Sequence, residues 1–213
     1  MDGWYGQNCQ YKHLNSTIFN YSTILTNEQS VKLINLVNLP SNLNWSLIYQ
    51  ASVNGFSANS FHTNCGSTRN TLTIIKTTNS FVFGGFTSSD WSVNNYGSNV
   101  KYDPNAFLFS LVNGYNAPAK MNVTQPMQVI TVSYSNGPIF GSSRDLYISD
   151  SSNVNTQSFS NLGMDFQLPS FLLNISNATS PSVSTGNIIF STFLAGSYNF
   201  ITSEIEVYST DRN

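Results

Sequence analysis

Thr71 to Ser88 reads TLTIIKTTNSFVFGGFTS, and this stretch decides the fold class. Two runs rich in β-branched and aromatic residues, 71–78 and 81–88, flank Asn79-Ser80, which predicts a β-hairpin. Gly84 and Gly85 inside the second run signal a bulge or a close approach of another backbone. Working outward, Trp45 to Ser52 (WSLIYQAS) reads as a buried strand, and Ala106 to Asn113 (AFLFSLVN) as a central one with Phe107 and Phe109 on one face. Gln128 to Ser135 alternates, with Ile130, Val132 and Tyr134 on one side, and Gly137-Pro138 then starts a turn. Asp145 to Asp150, Ile188 to Leu194 and Ile201 to Tyr208 are further expected strands. Residues 150–187 read as long Ser- and Asn-rich surface loops around one or two short strands.

Helical signals are few. Thr26 and Gln29 form a capping box ahead of Val31, Leu33, Ile34 and Val37, and Pro40 stops that amphipathic helix. Ser57 caps a second, short one reaching Cys65. Many short strands with Gly, Pro and Asn turns predict a mainly β (α+β) fold: an antiparallel β-sandwich with a few short peripheral helices and one N-terminal amphipathic helix. The expected division is a stub and linker over 1–23, one domain over 24–210 and a tail over 211–213.

Composition bounds the function. Asn, Ser and Thr fill 80 of 213 positions, only 8% are charged, and 29 aromatic residues supply a core. A net charge of −2 with eight scattered basic residues offers no footprint for nucleic acid. No apolar run approaches the roughly 20 residues of a membrane helix, so no membrane insertion is expected. Six N-x-[ST] sequons, at Asn15, Asn20, Asn44, Asn122, Asn174 and Asn177, are candidate glycosylation sites, although so much Asn, Ser and Thr yields several by chance.

Catalytic chemistry finds little to stand on. His62 and Cys65 have the spacing of two ligands on one helical face, but zinc needs three or four; both read as packing residues, with Cys65 a buried free thiol. Glu204 and Glu206 alternate with Ile205 and Val207 and project from one sheet face, where an exposed, structural role is the expectation. Asp150, Asn153 and Asn155 are out of register for a calcium loop. No catalytic residue, cofactor or metal is expected.

Two resemblances follow from the residues. Gly3 to Cys9 (GWYGQNC) resembles the last turn of an EGF-like module, either because the chain continues a longer secreted protein, which is the expectation, or by accident. On that reading Cys9 has its natural partner elsewhere, and no Cys9–Cys65 bridge is expected. Five blocks together resemble the TLDc domain, in that family's order: Leu47 to Cys65, Thr71 to Trp91, Tyr102 to Asn113, Gly137 to Asp150 and Phe193 to Tyr208. The resemblance implies a β-sandwich with small flanking helices and carries over only structural signature residues: Gly84, Gly85, Phe107, Phe109, Gly137, Pro138, Gly141, Asp145 and Glu206. Its intracellular members are linked to resistance to oxidative stress and to the vacuolar proton-pumping ATPase, and it transfers no catalytic residues.

The leading expectation is a non-catalytic TLDc-type protein-interaction module of a larger, extracellular or cell-surface protein. An intracellular (cytoplasmic) stress-protection or pump-regulating protein is the first alternative. A sandwich that binds glycans through exposed aromatics such as Trp91 and Tyr96 is the second. An enzyme would bring two of Glu206, Asp145 and His62 into one cleft.

Overall fold

A computed structural model of the chain describes residues 18–40, 42–93, 98–124, 129–176 and 188–210. Two six-stranded antiparallel sheets face each other, as the strand pattern predicts. Sheet 1 has the order β1-β12-β2-β3-β5-β6, built from β1 (Ser46–Gln50), β2 (Thr71–Thr77), β3 (Val82–Thr87), β5 (Phe107–Val112), β6 (Ala119–Asn122) and β12 (Thr202–Ser209). Sheet 2 has the order β11-β10-β9-β8-β7-β4, built from β4 (Ser98–Lys101), β7 (Ile130–Ser133), β8 (Asn136–Phe140), β9 (Leu146–Ser149), β10 (Ser158–Ser160) and β11 (Asn199–Phe200). Five helices occur among the described residues: α1 (Asn27–Val37), α2 (Ala51–Asn54), α3 (Ala58–Cys65), α4 (Ser170–Ser176) and α5 (Ile188–Thr192).

Two apolar clusters follow from the period-2 alternation of the strands. One fills the space between the sheets and includes Ile75, Phe83, Leu108, Ile130, Phe140 and Val207. The other covers the outer face of sheet 1, where Leu33, Ile34 and Val37 of α1 meet Leu72, Ile74, Phe109 and Tyr208. The capping box at Thr26 and Gln29 is formed, and Asn38 closes α1 in the left-handed conformation (φ 57°). Residues 18–25, counted with the linker as far as residue 23 on sequence grounds, supply Phe19, Ile24 and Leu25 to the same cluster.

The expected 71–88 hairpin is present, with Ser80 in the left-handed region at its turn (φ 64°). Its adjacent glycines serve close approach. A Cβ on Gly84 would lie 1.9 Å from the Thr73 carbonyl oxygen, and one on Gly85 would lie 2.7 Å from the Phe140 ring. A ring can swing aside and a paired backbone cannot. Gly84→Ala is therefore expected to cost about 3 kcal/mol and Gly85→Ala less, measured as shifts in urea midpoint at constant slope.

Several expectations are corrected. Ile188 to Leu194 contains helix α5, not a strand: a short run apolar at nearly every position suits either, and here Phe190, Phe193 and Leu194 all enter the inter-sheet core. Gly137-Pro138 does not begin a turn but lies inside β8, where the register slips between Asn136 and Ile139; such a bulge accommodates a proline that has no N–H for the ladder. Tyr134 does not share the buried face of Ile130 and Val132, because β7 ends at Ser133 and the tyrosine stands in the turn, 59% exposed. The strand expected over 45–52 stops at Gln50 and passes into α2. Residues 150–187 hold α4 as well as the short strand β10.

Candidate functional site

Each acidic signature residue is buried and gathers loops. Glu206 projects from the outer face of sheet 1 and receives hydrogen bonds from Ser22 Oγ (2.6 Å), Thr23 N (2.6 Å), Thr23 Oγ1 (3.0 Å), Ile24 N (3.3 Å) and Tyr208 Oη (3.2 Å). Glu204 lies on the same face, as alternation requires, and accepts from Ser52 N and Ile205 N. The exposure expected for the pair is absent, because residues 22–24 cover Glu206 and the start of α2 covers Glu204. Asp103, which sequence reasoning missed, binds Thr87 Oγ1, Ser88 N, Ser88 Oγ and Asn105 N in the same manner.

Asp145 stands at the entrance to β9 and collects amide protons from Gly163, Met164, Asp165 and Phe166. The Asp165 carboxylate returns the contact by accepting from Ser143 N and Ser142 Oγ. Gly141 sits between them with φ +91°, and a Cβ there would meet both carboxylates, at 2.7 and 2.9 Å. Burial, with the negative charge of Asp165, pushes the Asp145 carboxyl up to about 7 against the pull of its amide donors.

His62 and Cys65 serve packing. The His62 Nε2–H lies 2.8 Å from the Ser133 carbonyl and 3.0 Å from that of Asn136, so it donates to both and ties α3 to the β7–β8 turn. Cys65 is a buried free thiol, and burial pushes its pKa above the usual range. Cys9 and its expected distance from Cys65 lie outside the described residues, as does the EGF-like stretch. The hydrogen-bond partners of Glu206, Asp145 and His62 do not overlap: one set is the 22–24 segment with Tyr208, one the 163–166 loop and one the β7–β8 turn. Asp150 accepts from Ala58 N at the start of α3.

The expectation of an exposed Trp91 is overturned. Its indole is fully buried between Phe61 and Phe140 and donates to Thr71 Oγ1; Tyr96 lies outside the described residues. A partly exposed aromatic stack lies elsewhere. On the outer face of sheet 2, Tyr147 of β9 pairs with Phe159 of β10, and Phe159 stacks in turn on Tyr198, the residue before β11. Their ring centroids are 4.9 and 5.2 Å apart and nearly parallel, at 23° and 13°. Arg144, in the left-handed conformation (φ 63°), extends the stack by lying 5.2 Å from the centroid of Tyr147. No ion pair to Arg144 occurs among the described residues. Tyr147 and Phe159 are half-buried, Tyr198 is exposed and the neighbouring Ile139 is buried; among the described residues none of the four belongs to either apolar cluster. The available sequence signal was an aromatic at an outward strand position, Tyr147 in LYIS and Phe159 in SFS.

Two clefts flank α1 on sheet 1. The larger, about 360 Å³, lies between the end of α1, the 104–106 turn and β6; the smaller, about 200 Å³, is lined by Lys32 and the β5–β6 connection. In the larger, Lys120 donates to the Val37 carbonyl (2.8 Å) and lies 4.4 Å above the centre of the Phe107 ring. Signature residues Phe107 and Phe109 share the outward face, as expected. Among the described residues no helix is long and apolar enough to cross a membrane.

Comparison with known proteins agrees with this architecture. The model of one family, described as the TLDc domain, matches residues 18–211. No curated protein matches the chain.

Proposed function

Because this chain belongs to the TLDc domain family, we propose that it is a non-catalytic interaction module of a larger extracellular protein, binding a protein partner through the outer face of sheet 2. The observation that carries this reading is the partly exposed stack Arg144–Tyr147–Phe159–Tyr198, open at its Arg144 and Tyr198 ends. Aromatic rings and arginine are the groups most enriched where proteins bind one another. The guanidinium edge leaves its hydrogen-bond donors available, so the partner presents a carboxylate there and apolar side chains along the rings.

Support for a non-catalytic role comes from the carboxylates: those of Glu206, Asp103 and Asp145 are committed to holding loops. Support for an extracellular setting comes from the sequons, since Asn20, Asn44 and Asn122 are all exposed, and from a charged fraction of only 8%.

The test begins with cross-linking at the surface of the cells that make the protein, followed by titration of the purified partner by calorimetry. Arg144→Glu and Tyr198→Ala are each expected to weaken binding at least about tenfold, while Lys32→Glu on α1, over the opposite sheet, leaves it unchanged. Circular dichroism checks that the variants fold. Wild-type affinity in both sheet 2 variants would overturn the assignment.

A further inference from the structure

The larger cleft beside α1 contains a feature that a general interaction module does not need. Asn122 of the sequon Asn122-Val123-Thr124 lines it, and its side chain is exposed. Register explains what lies next to it. In sheet 1, Phe86 is directly opposite Phe107, and Phe107 is directly opposite Asn122. Opposed residues of antiparallel strands project from the same face with their Cβ atoms about 5 Å apart. The asparagine therefore stands beside the buried Phe107, which stacks on the half-buried Phe86 with ring centroids 5.3 Å apart and planes differing by 14°. Lys120 holds the near wall by its bond to Val37 and its position over Phe107. Asn38 and Asn105 also line the cleft.

We propose that Asn122 carries an N-linked glycan whose first N-acetylglucosamine is seated in this cleft, against the half-buried ring of Phe86. The proposal rests on the extracellular reading above, since the modification is made in the secretory pathway. Chemically, the Asn122 Nδ2 forms a bond to C1 of the sugar. The donor is a lipid-diphosphate-linked oligosaccharide, whose C1–O bond breaks and whose lipid diphosphate leaves with the electron pair, while the Nδ2 proton passes to base. The Thr124 hydroxyl completes the recognised triplet. The cleft volume of about 360 Å³ is within the range of small-ligand sites. A pyranose offers an apolar C–H face to an aromatic ring, and its acetamido group needs one donor and one acceptor, which an asparagine amide provides.

The experiment expresses the full chain behind a secretion leader in eukaryotic cells and trims its glycans to the first sugar with an endoglycosidase. Peptide mass spectrometry is expected to find Asn122 occupied. The trimmed protein is expected to melt about 3 °C above the unglycosylated chain made in bacteria. Phe86→Ala should remove that difference, and nuclear Overhauser contacts should join the sugar protons to the Phe86 ring. An unoccupied Asn122 overturns the site, and occupancy without a melting difference or ring contacts overturns the seating. Protein from its natural source distinguishes this proposal from the reading beneath it. Native chain bare at every sequon refutes the extracellular setting, whereas native chain glycosylated elsewhere and bare at Asn122 refutes this proposal alone.

Discussion

Replacing Glu206 by alanine is expected to destabilise the domain by about 4 kcal/mol. The carboxylate receives two backbone amides and three hydroxyls, and it is completely buried. Truncation leaves these donors facing an apolar gap, and each buried unpaired donor costs about 1–3 kcal/mol, partly relieved by water entry. Glu206→Gln keeps one acceptor oxygen and is expected to cost roughly half as much. Ser22→Ala, which removes one donor and leaves the carboxylate its other partners, is expected to cost about 1 kcal/mol. Urea denaturation at constant slope reads all three. A Glu206→Ala loss below about 1 kcal/mol would show that residues 22–24 hold their place without it.

Asp145 gives the second large effect, and its signature is a dependence on pH. Burial and then Asp165 raise its carboxyl to about 7 in the folded protein, while the unfolded chain titrates near 4. The folded state therefore binds the proton more tightly. Stability from this group is fully present below pH 4, declines as pH rises, and is gone above pH 7. The drop is about 4 kcal/mol at most, from the size of the shift. Asp145→Asn cannot titrate, so its stability is expected to be flat over that interval where the wild type slopes downward. Parallel slopes for the two proteins would exclude Asp145 as the source.

What was legible in the sequence is what neighbours in the chain determine. The Thr26–Gln29 capping box, the Ser57 cap and the Asn79-Ser80 turn each close within four residues, and each is present. The period of two placed Phe107 with Phe109, and Glu204 with Glu206, on common faces. What was not legible depends on partners far along the chain. Glu206 is separated from Thr23 by 183 positions, so alternation gave its face and not the segment that buries it. Trp91 looked available because nothing local announces that Phe61 and Phe140 enclose it. The stack of Tyr147, Phe159 and Tyr198 exists only once β9, β10 and β11 are in register. Asn122 beside Phe107 likewise required the β5–β6 pairing.

The clamp at Glu206 also has a mechanical meaning. The Asn20 carbonyl meets Tyr208, and Thr23 and Ile24 meet Glu206, so the 20–24 segment runs antiparallel to β12. Residues 18 and 210 consequently leave the domain at one corner. Tension between them does not load these bonds together in shear. It opens them in sequence, first Tyr208 to Asn20 and then Glu206 to its donors, like a zip. The corner releases the 18–25 segment as slack, while β12 stays held by its ladder to β2 and Thr210 N by the Asn70 carbonyl.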